Sequence, residues 1–163
     1  MRLRTFRFIA LLVLALPAAW HCALADPRPA ASIPAAALIH PAELAAALQS
    51  GVAPKPLILQ VGFRTLYAQA HIPGAEYAGA AGDEKGSQAL RDRAGKLPKD
   101  AAMVIYCGCC PWSHCPNIGE AYAVLHALGF VKLKVLYIAN DFGTDWVDKG
   151  YPVIKGSASG RNP

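Results

Sequence analysis

Short apolar runs alternate with helical segments along this chain, and that alternation constrains the fold more than any other feature of the sequence. The apolar runs lie at residues 57–61, 101–106 and 134–138 and have the length of buried strands. Strands that alternate with helices favour a parallel sheet. The sequence therefore predicts an α/β fold with a central, doubly wound parallel sheet flanked by helices. The helices are expected at residues 41–49, 64–70, 87–97, 118–128 and 141–149.

The first 25 residues have the pattern of a secretory signal peptide. Three arginines precede an apolar run at residues 8–16, and Ala23-Leu24-Ala25 offers small residues for cleavage. The apolar run is shorter than the about 20 residues that a membrane span requires, which disfavours a retained membrane anchor. We expect residues 1–25 to be removed, a periplasmic or secreted location, and no stable membrane span after cleavage.

The chain of 163 residues has the length of one domain. A Pro- and Ala-rich stretch at residues 26–37 predicts a linker, residues 38–155 the domain, and residues 156–163 a flexible tail. Three of the 16 Lys and Arg residues lie in the first 25 residues, which leaves 13 against 11 Asp and Glu residues. No basic cluster remains that could follow a phosphate backbone, so we expect no nucleic-acid partner.

Four cysteines lie within nine residues: Cys107, Cys109, Cys110 and Cys115. The remaining cysteine, Cys22, belongs to the predicted signal peptide, so any disulfide among the other four closes a short loop and stabilises the fold little. The cluster follows a predicted strand and precedes a predicted helix, which places it at the carboxyl edge of the sheet, where α/β folds build their sites. The cysteine cluster therefore indicates a reactive or catalytic role rather than a structural disulfide.

A series of segments carries a resemblance to a known family. In chain order they are Leu57-Ile-Leu-Gln-Val61, His71-Ile-Pro-Gly-Ala75, Val104-Ile-Tyr-Cys107, Leu125-His-Ala-Leu-Gly-Phe130, and Trp146 with Gly150-Tyr-Pro-Val153. Their order and spacing over about residues 38–155 resemble the rhodanese-like (sulfurtransferase) domain family, in an exported single-domain form with an enlarged, cysteine-rich loop. The resemblance implies the rhodanese-like fold and a sulfurtransferase activity.

The sequence departs from the family pattern in two regions. The strand that ends in Asp-Val-Arg in the family reads Gln60-Val61-Gly62 here, so both the acid and the base are replaced. The loop after Cys107 is longer than in the family, and it carries no arginine. These departures concern the surroundings of the cysteine rather than the fold.

By the same resemblance, Cys107 is the catalytic nucleophile. The family pattern implies that backbone N–H groups of the loop and the N-terminus of the next helix lower the pKa of this thiol. Its thiolate would take sulfur from a thiosulfate, thiosulfonate or polysulfide donor, forming a persulfide, and pass it to a thiol or other thiophilic acceptor. The loop residues Gly108, Trp112, Ser113 and His114 are candidate substrate contacts, and an exposed histidine without a role is the alternative for His114.

The extra cysteines leave other functions open. Cys107-Gly-Cys-Cys110 has the C-x-x-C spacing of a reversible disulfide, which predicts Cys110 or Cys115 as a resolving thiol. Cys109 is a weaker candidate, because one intervening residue makes a strained ring with Cys107. A periplasmic thiol-disulfide redox protein, with a periplasmic reductase as partner, is therefore one alternative.

A non-catalytic module that binds a metal or a partner is the other alternative. Zn²⁺ or an iron–sulfur cluster on the loop cysteines is disfavoured, because cysteines crowded into nine residues fit tetrahedral ligation poorly. We therefore expect no cofactor. Asn117 is predicted to be the N-cap of the helix that follows the loop.

Overall fold

Five parallel strands form the central sheet of the computed structural model, which describes residues 33–51 and 54–156. The predicted signal peptide, most of the predicted linker and all but the first residue of the predicted tail lie outside the described residues. The strand order is β1-β5-β4-β2-β3, which confirms the predicted α/β fold with a central parallel sheet. The strands are β1 (Leu38–Ile39), β2 (Leu57–Gln60), β3 (Glu76–Tyr77), β4 (Met103–Tyr106) and β5 (Leu133–Leu136).

Four α-helices connect these strands. They are α1 (Pro41–Gln49), α2 (Arg64–Gln69), α3 (Glu84–Ala94) and α4 (Pro116–Ala127). Two 3₁₀ turns (Ala35–Ala37 and Trp112–His114) and a π-helical turn (Gly143–Val147) complete the described elements. Helix α1 has the bounds that the sequence predicts, and the predicted helix at 141–149 is reduced to the π-helical turn.

Both faces of the sheet are covered, as a doubly wound arrangement requires. On β4, Met103 and Ile105 point into the hydrophobic cluster that contains Leu90 of α3 and Leu125 of α4. The alternate residues Val104 and Tyr106 point into a second cluster, on the opposite face, together with Leu44 of α1, Tyr67 of α2 and Trp146. Burial on both faces explains why the β4 segment is an uninterrupted apolar run, as parallel strands usually are.

Two helices begin earlier than the sequence predicts, each for a local reason. Helix α3 begins at Glu84, because Asp83 Oδ1 accepts a hydrogen bond from the Gly86 N–H at 2.7 Å and caps the helix. Helix α4 begins at Pro116, whose missing N–H costs the first turn nothing. The N-cap of α4 is therefore Cys115, and the prediction that Asn117 caps the helix is wrong.

Among the residues that the structure describes, no helix has the length and the apolar character that crossing a membrane requires.

Candidate functional site

The sulfur of Cys107 lies at the carboxyl end of the central strand β4, directly after Tyr106, and the residue is 4% exposed. Gly62, which lies two residues after the end of the neighbouring strand β2, packs closely against this sulfur. A Cβ atom at Gly62 would lie 2.8 Å from Cys107 Sγ, closer than two such atoms can approach. The glycine therefore makes room for the sulfur at the position where the family pattern has an arginine.

Gln60 replaces the acid of the family pattern and supports the backbone of Cys107. The side chain is 1% exposed, and its Nε2 donates a hydrogen bond of 3.5 Å to the Cys107 carbonyl oxygen. Its Oε1 atom is buried and has no hydrogen-bond partner among the described residues. A neutral amide that donates to the Cys107 carbonyl oxygen thus takes the place of a carboxylate, which could not donate this hydrogen bond when ionised.

Asn117 directs an amide N–H toward two of the sulfurs. Its Oδ1 accepts a hydrogen bond of 2.8 Å from the Gly82 N–H, which orients the amide. The Nδ2 atom then faces Cys107 Sγ at 3.4 Å and Cys109 Sγ at 3.7 Å. Sequence reasoning missed this role, since nothing in the sequence links residue 117 to residue 82.

The four loop cysteines do not converge equally. Cys109 Sγ lies 3.0 Å from Cys110 Sγ and 3.9 Å from Cys115 Sγ. The sulfurs of Cys107, Cys109 and Cys115 all lie within 4.8 Å of one another, and all four cysteines are free thiols. Cys109, the weakest of the predicted resolving thiols, is therefore a central member of the cluster. Cys110 contacts this group only at its edge, through Cys109, and its thiol also faces the carbonyl oxygen of His114 at 3.5 Å.

The N-terminus of α4 acts on Cys115 rather than on Cys107. The Cys115 sulfur faces the Cys107 thiol and the backbone N–H groups of Asn117 and Ile118, and these neighbours lower the pKa of Cys115 to about 5. The helix thus acts on Cys115 through the backbone N–H groups of its first turn, which favour the anion.

Cys107 shows the opposite shift. Its interaction with Cys115 and its burial raise the pKa of the Cys107 thiol. The sequence-based expectation that the helix N-terminus lowers the pKa of Cys107 is therefore wrong, because Cys115 occupies the capping position. Of these two thiols, Cys115 is therefore the one that ionises more readily.

A small cavity lies beside these sulfurs. Its volume is about 10 Å³, which is the room that one water-sized atom needs. Three cysteine side chains form one side, and the other walls are mainly apolar. The lining residues are Cys107, Gly108, Cys110, Trp112, Cys115, Ile118, Leu136 and Ile138.

The predicted substrate contacts divide into two groups. Trp112 lines the cavity and packs against Tyr137, with ring centroids 4.9 Å apart. Gly108 also lines it, with φ +71°, and a Cβ atom there would lie 2.6 Å from Phe142 Cβ, so this position needs glycine. Ser113 and His114 are exposed and pair with each other through Oγ and Nδ1 at 2.9 Å, and neither lines the cavity.

The similarity of this chain to known proteins is found in solved structures. No family model matches the sequence, and no curated protein matches it either. The chain is similar to the crystal structure of the Alr3790 protein from Anabaena sp., with 24% identity and a TM-score of 0.57 over 74% of this chain and 95% of that chain.

Two further structures give the same result. The solution structure of the rhodanese-like domain of Alr3790 has 22% identity and a TM-score of 0.55, over 78% of this chain and 88% of that chain. The crystal structure of the BH2092 protein from Bacillus halodurans has 21% identity and a TM-score of 0.55, over 72% of this chain and 75% of that chain. Together with the parallel five-stranded sheet and the cysteine loop that follows β4, these likenesses show that the chain has the rhodanese-like fold.

Proposed function

We propose that this protein is a sulfurtransferase or sulfane-sulfur carrier that works through a persulfide on Cys107. The observation that carries the proposal is the position of the Cys107 sulfur at the carboxyl end of the central strand, beside a cavity with room for one atom. A second sulfur bonded to Cys107 would enter that cavity, shielded from water by Trp112 and the apolar walls.

The proposed reaction has two steps. The Cys107 thiolate attacks the outer sulfur of a sulfane-sulfur donor, the sulfur–sulfur bond of the donor breaks, and the remainder of the donor leaves with the electron pair. Before this attack, the proton of the Cys107 thiol passes to the thiolate of Cys115, which makes Cys107 the nucleophile. A thiophilic acceptor then attacks the outer sulfur of the persulfide, and the Cys107 thiolate leaves.

The charge around the loop bears on the class of donor. The sequence has no Lys or Arg between residues 100 and 131, so the loop itself offers no cation to a doubly charged donor such as thiosulfate. Asn117 offers one amide N–H, which suits a singly charged or neutral group. We therefore expect organic persulfides and thiosulfonates to be better donors than thiosulfate.

Intact-mass spectrometry under anaerobic conditions tests the proposal. The reduced chain is incubated with a small organic persulfide, and we expect one additional sulfur on the wild-type chain and none on Cys107→Ser. The matched control is Cys110→Ser, which should still gain the sulfur, and thermal melts check that both variants fold. One additional sulfur on the Cys107→Ser variant would move the nucleophile to another cysteine and refute the proposal.

A second candidate function, thiol-disulfide exchange, is favoured by the short sulfur–sulfur distances. Cys115 lies within 4.8 Å of Cys107, so its thiolate could attack the inner sulfur of the persulfide. That step forms a Cys107–Cys115 disulfide and releases hydrosulfide, and an external dithiol reductant must then reopen the disulfide. A partner reductase of the same compartment would supply this reductant. Peptide mapping after one turnover distinguishes this outcome, since simple transfer leaves no disulfide.

The location of the protein is part of the proposal. The pattern of the first 25 residues supports export through a cleaved signal peptide to the periplasm or the medium, so the reaction would run in an oxidising compartment. Intact-mass measurement on the periplasmic fraction tests this, and a mature chain that begins at or near Asp26 is expected. An unprocessed chain held in the membrane would refute it.

A further inference from the structure

We propose that the reduced sulfurs of Cys107, Cys109 and Cys115 bind one soft d¹⁰ metal cation, Cu(I) in preference to Zn(II). The proposal rests on the convergence of these three side chains and does not depend on the proposed sulfur transfer.

The spacing of the three sulfurs matches what a metal with three thiolate ligands needs. They lie within 4.8 Å of one another, and Cys109 Sγ is 3.9 Å from Cys115 Sγ. A metal–thiolate bond is about 2.3 Å long, so three sulfurs in a plane around one ion lie about 4 Å apart. Binding therefore requires shifts of about 1 Å or less, and the loop presents the ligands nearly in place.

The charge of the cluster calls for a cation. Three thiolates at this spacing repel one another strongly in a half-buried site, and the loop supplies no Lys or Arg to balance them. A bound cation would supply the missing positive charge and allow all three thiols to ionise together.

Hydrogen-bond donors already surround the candidate ligands. Asn117 Nδ2 faces both Cys107 Sγ and Cys109 Sγ, and the Gly82 N–H holds that amide in orientation. Cys115 is the N-cap residue of α4, and the positive end of a helix favours an anion at that position. Outer contacts of this kind orient metal ligands and stabilise their charged form.

The number of converging ligands decides which cation is preferred. Cys110 Sγ contacts Cys109 Sγ at 3.0 Å, but it is not among the sulfurs that all lie within 4.8 Å of one another, and His114 pairs with Ser113, so neither completes a fourth position around the group of three. Structural Zn²⁺ sites are almost always four-coordinate, whereas Cu(I) accepts three thiolates in a plane. Crowding of the cysteines, which disfavours tetrahedral ligation, is therefore compatible with a three-coordinate ion.

Anaerobic titration of the reduced full-length chain with Cu(I) and with Zn(II), each against a competing chelator, tests the proposal. All proteins carry Cys22→Ser, so only loop thiols remain, and native mass spectrometry counts the bound ions. We expect one Cu(I) per chain, bound more tightly than Zn(II). The same chain unfolded in urea is the control for adventitious thiol binding, and it should bind Cu(I) at least tenfold more weakly.

Single variants assign the ligands. Cys107→Ser, Cys109→Ser and Cys115→Ser should each weaken Cu(I) binding at least 100-fold, while Cys110→Ser, the matched control, should change it by less than about threefold. An equal loss in Cys110→Ser, equal affinity of the unfolded chain, or tighter binding of Zn(II) would overturn the proposal. Circular dichroism of each variant confirms that it is folded.

Cu(I) binding by the three cysteines and persulfide formation on Cys107 can be refuted independently of each other. Cys109→Ser should lose the metal and still gain one sulfur on Cys107, whereas Cys107→Ser should lose both. Stoichiometric Cu(I) on the wild-type chain should also prevent the gain of sulfur, because the metal occupies the Cys107 thiolate. Binding of Cu(I) without effect on persulfide formation would contradict the assignment of Cys107 as a ligand.

Discussion

Asn117 Nδ2 lies 3.4 Å from Cys107 Sγ, although the two residues come from opposite ends of the cysteine loop. The same amide is anchored by the N–H of Gly82, in the segment that leads into α3. One buried side chain thus connects the end of β4, the start of α4 and the approach to α3. Its donor is fixed toward the sulfur, because its acceptor is already used.

We expect Asn117→Ala to destabilise the fold by about 1–3 kcal/mol, because it leaves the Gly82 N–H without its partner in a part-buried site. Persulfide formation on Cys107 should also slow several-fold. The comparison variant is Asn117→Asp, which keeps the acceptor for Gly82 and replaces the donor that faces the sulfur. It should recover part of the stability and slow the reaction further, because a carboxylate repels the thiolate. Thermal melts and the rate of sulfur uptake measure the two effects, and a fast reaction in Asn117→Asp would contradict the role of the amide donor.

Gly62→Ala tests the contact that Gly62 makes with Cys107. The added Cβ would lie 2.8 Å from Cys107 Sγ and 2.9 Å from Gln60 Nε2, so the sulfur or its support must move. We expect a loss of about 1–3 kcal/mol in the free energy of unfolding, as for overpacking in a core, and a large loss of sulfur uptake. The control is Gly95→Ala, at the end of α3, where the nearest atom would lie 3.3 Å away. Equal behaviour of the two variants would show that the close approach has no consequence.

The pH dependence of alkylation should separate Cys115 from the other thiols. In the metal-free, reduced chain the lowered pKa of Cys115, about 5, keeps this sulfur ionised from about pH 6 upward. Its rate of reaction with iodoacetamide should therefore be nearly constant between pH 6 and 8 and fall about tenfold per pH unit below pH 5. Cys107, whose pKa is raised, should remain unlabelled over the same range. Tandem mass spectrometry assigns the label, and a tenfold rise per unit at Cys115 between pH 6 and 8 would contradict the prediction.

The lifetime of the persulfide should depend on Cys115 more than on Cys110. Cys115 belongs to the group of sulfurs that lie within 4.8 Å of one another around Cys107, whereas Cys110 is outside that group and contacts Cys109. After loading with sulfur, Cys115→Ser and the double variant Cys110→Ser/Cys115→Ser should hold the Cys107 persulfide several-fold longer than the wild-type chain and release less hydrosulfide. Cys110→Ser alone should resemble the wild type. A long-lived persulfide in Cys110→Ser, with rapid loss in Cys115→Ser, would reverse the assignment.

The sequence by itself determined the architecture, because the features that produce it are local. The apolar runs that become β2, β4 and β5 are visible in the chain, and α1 has its predicted bounds because Pro41 can only begin a helix and Gly51 follows its end. Strand β1 was not predictable in this way. It has only two residues, and it exists because Leu38 pairs with Val135, almost a hundred residues further along the chain.

Only the tertiary structure decided the chemistry of the loop. The sequence shows four cysteines at fixed spacings, but spacing does not tell which sulfurs meet, because the loop conformation sets their directions. The sequence predicts that Asn117 caps a helix. Its amide donates toward sulfur because the fold brings the Gly82 N–H against the Asn117 side-chain oxygen. Likewise, the lowered pKa falls on Cys115 because α4 begins at Pro116, two residues earlier than the sequence predicts. Hydrophobic patterning acts over a few residues, whereas sulfur chemistry depends on differences of less than an ångström in the distances between side chains from separate segments, and only the packed fold sets these distances.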